Sequence, residues 1–164
     1  MKKLLVSACL LGDKVRYDGK GKFVPEVHEL RNHFELLLFC PEFSGLKKAP
    51  RQKIELVNDE LFTEKGLDVT LPIKREVDDI IRLCKHLGIR HAVLKSHSPT
   101  CGKGEIYDGT FTGKLTEGNG LFAKALLKNG FIIYSENEIE KLLIDFKIIT
   151  PPENSESPET NSPE

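Results

Sequence analysis

The chain has 164 residues, 39% of them apolar and 30% charged, and a formal net charge of −1. That length predicts a single domain with its own hydrophobic core, without reliance on disulfide staples. No apolar run reaches the roughly 20 residues of a membrane-spanning helix, and the charge balance is too weak to drive nucleic-acid binding.

The start Met1-Lys2-Lys3-Leu4-Leu5-Val6 is too short for a signal peptide and is expected to form the first core strand, over 3–8. A cytoplasmic, reducing setting follows, in which the four cysteines stay free. After Cys9-Leu10-Leu11-Gly12 comes a turn-rich stretch, Arg16-Tyr17-Asp18-Gly19-Lys20-Gly21, and Pro25 suits the first turn of a helix over 25–33. A second strand is expected over 36–39, then a long polar loop holding Gly45, Pro50 and Arg51. Segments 54–57 and 61–63 read as a small hairpin turning at Asn58-Asp59. Val77, Ile80, Ile81, Cys84 and Leu87 recur at helical spacing, which predicts a helix over 73–87 closed by Gly88. A third strand over 90–95 leads through a serine-rich loop and glycine-rich turns to a helix over 119–128. A fourth strand over 131–134 and an amphipathic helix over 136–146 complete the body. Strands alternating with helices predict an α/β fold with a mostly parallel sheet in residues 1–149.

Residues 150–164 form a separate segment, rich in Pro, Ser, Asn and Glu, with no basic residue. Without Glu153, Glu156, Glu159 and Glu164 the body carries about +3. With nothing apolar to bury, this acidic tail is expected to be disordered.

The chemistry is concentrated in the cysteines. Cys9, Cys40 and Cys101 each follow an apolar run and sit in turns with Ser, Pro or Gly, in Ser7-Ala8-Cys9, Cys40-Pro41-Glu42 and Ser98-Pro99-Thr100-Cys101-Gly102. In a parallel sheet such strand ends converge at the carboxyl edge, where open α/β sheets build their sites. Three thiolates are one short of a closed structural cage, so they suit a metal or an iron–sulfur cluster with one open position. Zinc completed by His97 or Glu42 satisfies the same pattern, whereas the lack of a Cys-x-x-Cys excludes zinc ribbons and thioredoxin chemistry. Cys84 lies on the apolar stripe of its helix and reads as core.

Glu42, two residues past Cys40, is the candidate for general acid/base work. Lys95-Ser96-His97-Ser98 supplies hydrogen-bond donors for an anionic cluster or a polar substrate. Gly118-Asn119-Gly120 opens a helix whose free amides are expected to hold an anionic or carbonyl group, although it is a poor dinucleotide fingerprint. His28, His33, His86 and His91 show no partner spacing.

Together these segments resemble a known family. Ser7-Ala8-Cys9-Leu10-Leu11-Gly12 with Val15-Arg16-Tyr17-Asp18-Gly19, Cys40-Pro41-Glu42 with Gly45-Leu46 and Pro50-Arg51, and Lys95-Ser96-x-Ser98-Pro99-x-Cys101-Gly102 are its main motifs. Ile106-Tyr107-Asp108-Gly109-Thr110-Phe111, Gly118-x-Gly120 and Ser135-Glu136 complete the set, over about residues 3–145. The family is the small bacterial one of thiouracil desulfidases, formerly a domain of unknown function. The resemblance implies a three-layer Rossmann-like domain with a [4Fe–4S] cluster on Cys9, Cys40 and Cys101 and one iron open to a thione sulfur. The implied reaction converts 2- or 4-thiouracil to the oxo form with release of hydrosulfide and no net electron transfer. Glu42, Ser98 and Ser96 are then the expected catalytic residues, and Ser7, Lys95 and Gly120 the substrate-binding ones. The expected partner is a small thiopyrimidine, with a sulfide acceptor and the oligomeric state left open and no nucleic acid required. A cluster- or zinc-binding module without turnover, and a desulfidase acting on thiouridine in RNA, are the rival readings. The chain departs from the family pattern at Arg51-Gln52-Lys53, at His97 and at Phe122, which is expected to face the site and reshape the pocket.

Overall fold

In the computed structural model residues 1–153 are described. A parallel sheet of β1 (Lys2–Ser7), β2 (Phe34–Phe39), β5 (His91–Leu94) and β8 (Ile132–Ser135) runs in the order β2-β1-β5-β8. Register pairs Ser7 with Phe39, Val6 with Val93 and Leu94 with Ser135, so the carboxyl ends of the strands lie level. The chain moves one way from β1 to β2 and the other way to β5, so the gap between β1 and β5 is the switch point where such sheets bind ligands.

Both faces are covered, which is why β1 reads as an apolar run rather than an alternation. Leu5, Ala92, Leu94 and Ile133 face one layer of helices, α3 (Thr70–Leu87) and α4 (Leu121–Lys128). Leu4, Val6, Val93 and Tyr134 face the other, with α1 (Pro25–Glu29) and α5 (Ile139–Asp145). This is the expected three-layer α/β arrangement. The hairpin of β3 (Ile54–Val57) and β4 (Glu60–Thr63) turns where expected, with Asn58 and Asp59 both at positive φ, 51° and 65°.

Several boundaries differ from the sequence expectations, each for a local reason. The polar loop after Cys40 contains a helix, α2 (Pro41–Leu46). Pro41 is preset for its first turn, Cys40 Sγ accepts the Phe43 amide at 3.4 Å, and the helix packs on α3. The expected 25–33 helix tightens to a 3-10 turn over 30–32. α3 begins at Thr70, ahead of Pro72, with its first amide bonded to Asp68 at 2.9 Å. Its start before the proline is permitted because a first-turn proline loses no helical hydrogen bond. A second hairpin, β6 (Glu105–Tyr107) with β7 (Leu115–Glu117), occupies the glycine-rich turns. α5 starts late because residues 136–137 form a turn after β8, closed by the Ser135 amide donating to Glu138 Oε1 at 2.9 Å. The tail expectation falls mostly on residues 154–164, outside the described residues.

Candidate active site

Cys9 sits in a 3-10 turn immediately after β1, Cys40 caps α2 after β2, and Cys101 ends the loop after β5. All three line one cavity of about 200 Å³ at the carboxyl edge, with Ser7, Phe39, Glu42, Arg51, Lys95, Ser96, His97 and Ser98. Tyr17, Lys53, Glu55, Thr100 and Tyr107 also reach it. Cys84 does not; it lies on the buried face of α3, in the core.

Burial and then Cys40 push the Cys9 thiol up to about 12, against the pull of Lys95 and Arg16. The Cys101 thiol is raised by burial and then by Cys40, against a lowering hydrogen bond from Ser7. Burial and then Glu42 raise Cys40. Three thiols that each disfavour ionisation and repel one another as thiolates form a donor set completed by a cationic centre.

Glu42 is only 9% exposed, and each of its carboxyl oxygens holds a donor. Arg51 Nη2 donates to Oε1 at 2.9 Å, and the Thr100 hydroxyl donates to Oε2 at 2.6 Å. Arg51 is in turn fixed by its Nη1, which donates to the carbonyls of Val15 (2.9 Å) and Lys48 (3.0 Å). Carboxyl oxygens have two lone pairs each, so Glu42 keeps acceptor capacity for a ligand.

The loop after β5 is held just as tightly. Ser98 Oγ accepts the amides of Thr100 (3.1 Å) and Cys101 (3.0 Å), so it sets the position of the thiol as well as reaching the cavity. Ser7 Oγ accepts the Lys95 amide at 3.0 Å. Glu136, outside the cavity, accepts the Ser96 amide (2.8 Å) and hydroxyl (2.7 Å) and pairs with Lys95 at 3.4 Å. Burial raises the Glu136 carboxyl, but Ser96, Lys95 and backbone amides together hold it below its ordinary value.

Two sequence expectations are corrected. The amides opening α4 are not free: Leu121 donates to Pro99 O (3.0 Å), and Phe122 and Ala123 donate to Thr100 O (2.9 and 3.2 Å). Gly120 does not line the cavity; it lets α4 approach the loop, since a Cβ there would lie 2.4 Å from Thr100 O. Phe122 does not face the site either. It is buried in the core against the Phe39 ring, 6.1 Å centroid to centroid, and so supports a cavity wall from behind. His97, at φ 66°, sits at the rim and pairs with Glu105 at 3.4 Å.

Sequence reasoning missed two residues with clear tasks here: Arg51 and Thr100. Arg51 and Thr100 stand 9 and 58 positions from Glu42, so no local spacing signals the contacts.

The 2-thiouracil desulfurase family model matches residues 4–138. The chain belongs to that family. It is thereby an enzyme of the carbon–sulfur-cleaving kind. A solved structure of a [4Fe–4S]-dependent thiouracil desulfidase, TudS, is 38% identical to this chain, with a TM-score of 0.84. The match covers 91% of this chain and 100% of that one. An uncharacterised protein of Bacillus subtilis (strain 168), YbbK, is 31% identical over 150 residues, 85% of this chain and 99% of its own.

The residues present fit an iron–sulfur cluster. Cys9, Cys40 and Cys101 bring three thiols to one cavity, the donor chemistry of such a cluster, and among the described residues no three His, Cys, Asp or Glu side chains are placed to hold a single metal ion. The Arg51 side chain is 3% exposed and its Nε is buried without an acceptor, although the residue lines the cavity. A sulfide-bearing anion beside it supplies one.

Proposed function

We propose that this protein is a [4Fe–4S]-dependent, non-redox desulfidase that converts a 2- or 4-thiouracil-like thiopyrimidine to its oxo form. The observation that carries the reading is the meeting of Cys9, Cys40 and Cys101 with Glu42 in one small cavity at the switch point. The reaction balances as thione plus water giving carbonyl, hydrosulfide and a proton, so no electron donor is needed.

When bound through the three cysteines, a cluster with one iron free of protein supplies a Lewis acid for the thione sulfur. The chain's own residues do the rest. Glu42 takes the proton from the attacking water at whichever oxygen lone pair Arg51 and Thr100 leave open. Arg51 keeps that carboxyl oriented. Ser98 offers its hydroxyl to the substrate while its oxygen holds the Cys101 turn, and Ser96 is held in place by Glu136. Lys95, pinned by Glu136, gives the cavity a positive charge that favours departure of an anionic sulfur. Ser7 donates to Cys101 and orients that ligand.

About 200 Å³ lies below the roughly 300–1,000 Å³ of sites for drug-sized ligands, and a cluster on the three cysteines takes part of it, so the substrate is no larger than a single heterocycle. A reducing cytoplasm suits the free thiols. No helix among the described residues is long and apolar enough to cross a membrane.

The test is anaerobic reconstitution of the chain with iron and sulfide, followed by 2- and 4-thiouracil and chromatography of the products. Uracil and sulfide should appear in equal amounts without added reductant. A fully loaded protein that releases sulfide from neither substrate overturns the catalytic reading.

A further inference from the structure

The cavity holds a second carboxylate to which neither the motifs nor the chemistry above assign a task. Glu55, on β3, is 2% exposed and lines the cavity. Its Oε1 accepts the amides of Gly109 (2.9 Å) and Phe111 (3.0 Å), which ties the Tyr107-Asp108-Gly109-Thr110-Phe111 loop to the hairpin. The loop packs closely there, since a Cβ on Gly109 would lie 2.8 Å from Leu56 O. Among the described residues Oε2 has no hydrogen-bond donor, and it is not a sealed, orphaned atom.

From this we infer that Glu55 Oε2 accepts the ring N–H beside the reacting carbon and so selects thiopyrimidines with an unsubstituted N3. The inference rests on the thiopyrimidine reading above for its ligand class. A thiolactam ring presents a polar edge of alternating acceptors and donors. Lys95, Ser96 and Ser98 give the cavity donors for the acceptor atoms of that edge. The N–H needs an acceptor, and the capacity that Arg51 and Thr100 leave on Glu42 goes to the attacking water in the reading above. Glu55 Oε2 is the carboxylate oxygen left for it. Tyr17, Phe39 and Tyr107 in the same lining supply the flat apolar surface a heterocycle packs on. N3–H flanks the carbon–sulfur bond in both 2- and 4-thiouracil and persists when N1 is substituted, so one acceptor serves the whole class. A site built to pair a substrate N–H discriminates strongly against an analogue lacking it, because its own buried group is then left unpaired.

Glu55→Gln separates this task from the loop tie. The amide carbonyl keeps the place of Oε1 for Gly109 and Phe111, while an NH2 replaces Oε2 and opposes the ring N–H. Calorimetry on the cluster-loaded full chain would compare uracil with 3-methyluracil. Wild type is expected to bind uracil at least tenfold more tightly than 3-methyluracil. In Glu55→Gln uracil should weaken at least tenfold and the preference should collapse, with the thermal midpoint within a few degrees of wild type. Equal binding of the two ligands by wild type, no uracil binding, or an unchanged preference in Glu55→Gln each overturns the inference. If the variant does not fold, the wild-type preference alone decides. A loaded wild type that discriminates the two ligands but releases no sulfide sinks the desulfidase reading and leaves Glu55 standing; turnover without discrimination does the reverse.

Discussion

Side-chain surroundings, more than residue type, separate the four cysteines. The Cys84 thiol is pushed up to about 11 by burial alone, with no charged neighbour contributing. Each of the other three is also shifted by another thiol or by Glu42. Cys84→Ala should therefore leave iron and acid-labile sulfide per chain at the wild-type level and cost about 1–2 kcal/mol of stability in urea unfolding. Cys9→Ala, Cys40→Ala and Cys101→Ala should each lose most of the iron after the same anaerobic reconstitution. Loss of iron in Cys84→Ala would disprove a ligand set of Cys9, Cys40 and Cys101. The thiols were legible in the sequence because each follows directly on a strand, and strand ends are readable from apolar runs. The Arg51–Glu42–Thr100 clamp was not, because it joins three elements that only the tertiary fold brings together.

Elements carry the site by how closely they approach the β5 loop. α4 docks its first turn onto Pro99 and Thr100 through backbone hydrogen bonds, and Gly120 makes that approach possible. A Cβ at this position meets fixed backbone, at 2.4 Å from Thr100 O and 2.8 Å from Pro99 O, so neither neighbour is a flexible side chain that can swing away. Gly120→Ala should cost on the order of 1–3 kcal/mol in urea unfolding and displace the loop that carries Cys101. Faster loss of iron to a chelator than in wild type is the accompanying expectation; unchanged stability and iron retention would show that the loop tolerates the push. The same elements show why boundaries escaped the sequence reading. α2 is too short to display a helical period, and its one local signal was Cys40-Pro41 at the cap. The β6–β7 hairpin hid behind glycines that read as turns because Gly109 and Gly113 do adopt positive φ. α3 was legible because its buried stripe, from Ile73 to Cys84, repeats over several turns.

Across the whole molecule, layers and strand order were legible because they depend on alternation of elements and on apolar runs, both properties of sequence alone. The cross-ties that hold the carboxyl edge together were not, and Glu136 is the clearest of them. It stands just past β8 and accepts from Ser96, just past β5, so it joins two strand ends behind the cavity. Its carboxyl is held below the ordinary 4.5 in the folded protein, where burial is outweighed by Ser96, Lys95 and backbone amides. A depressed folded value favours the ionised, folded state. The resulting stabilisation is complete above the unfolded value near 4.5 and is lost as pH falls through the lower folded one. Glu138, also lowered, acts in the same direction: burial raises it, but the Ser135 amide and Lys103 outweigh that. Urea midpoints of the cluster-free chain should therefore fall steeply in acid, and those of Glu136→Gln less so. The wild type should be the more stable of the two near neutrality, and the curves should converge at the acid end. Parallel curves across that range would mean that the tie between the two strand ends contributes nothing through its charge.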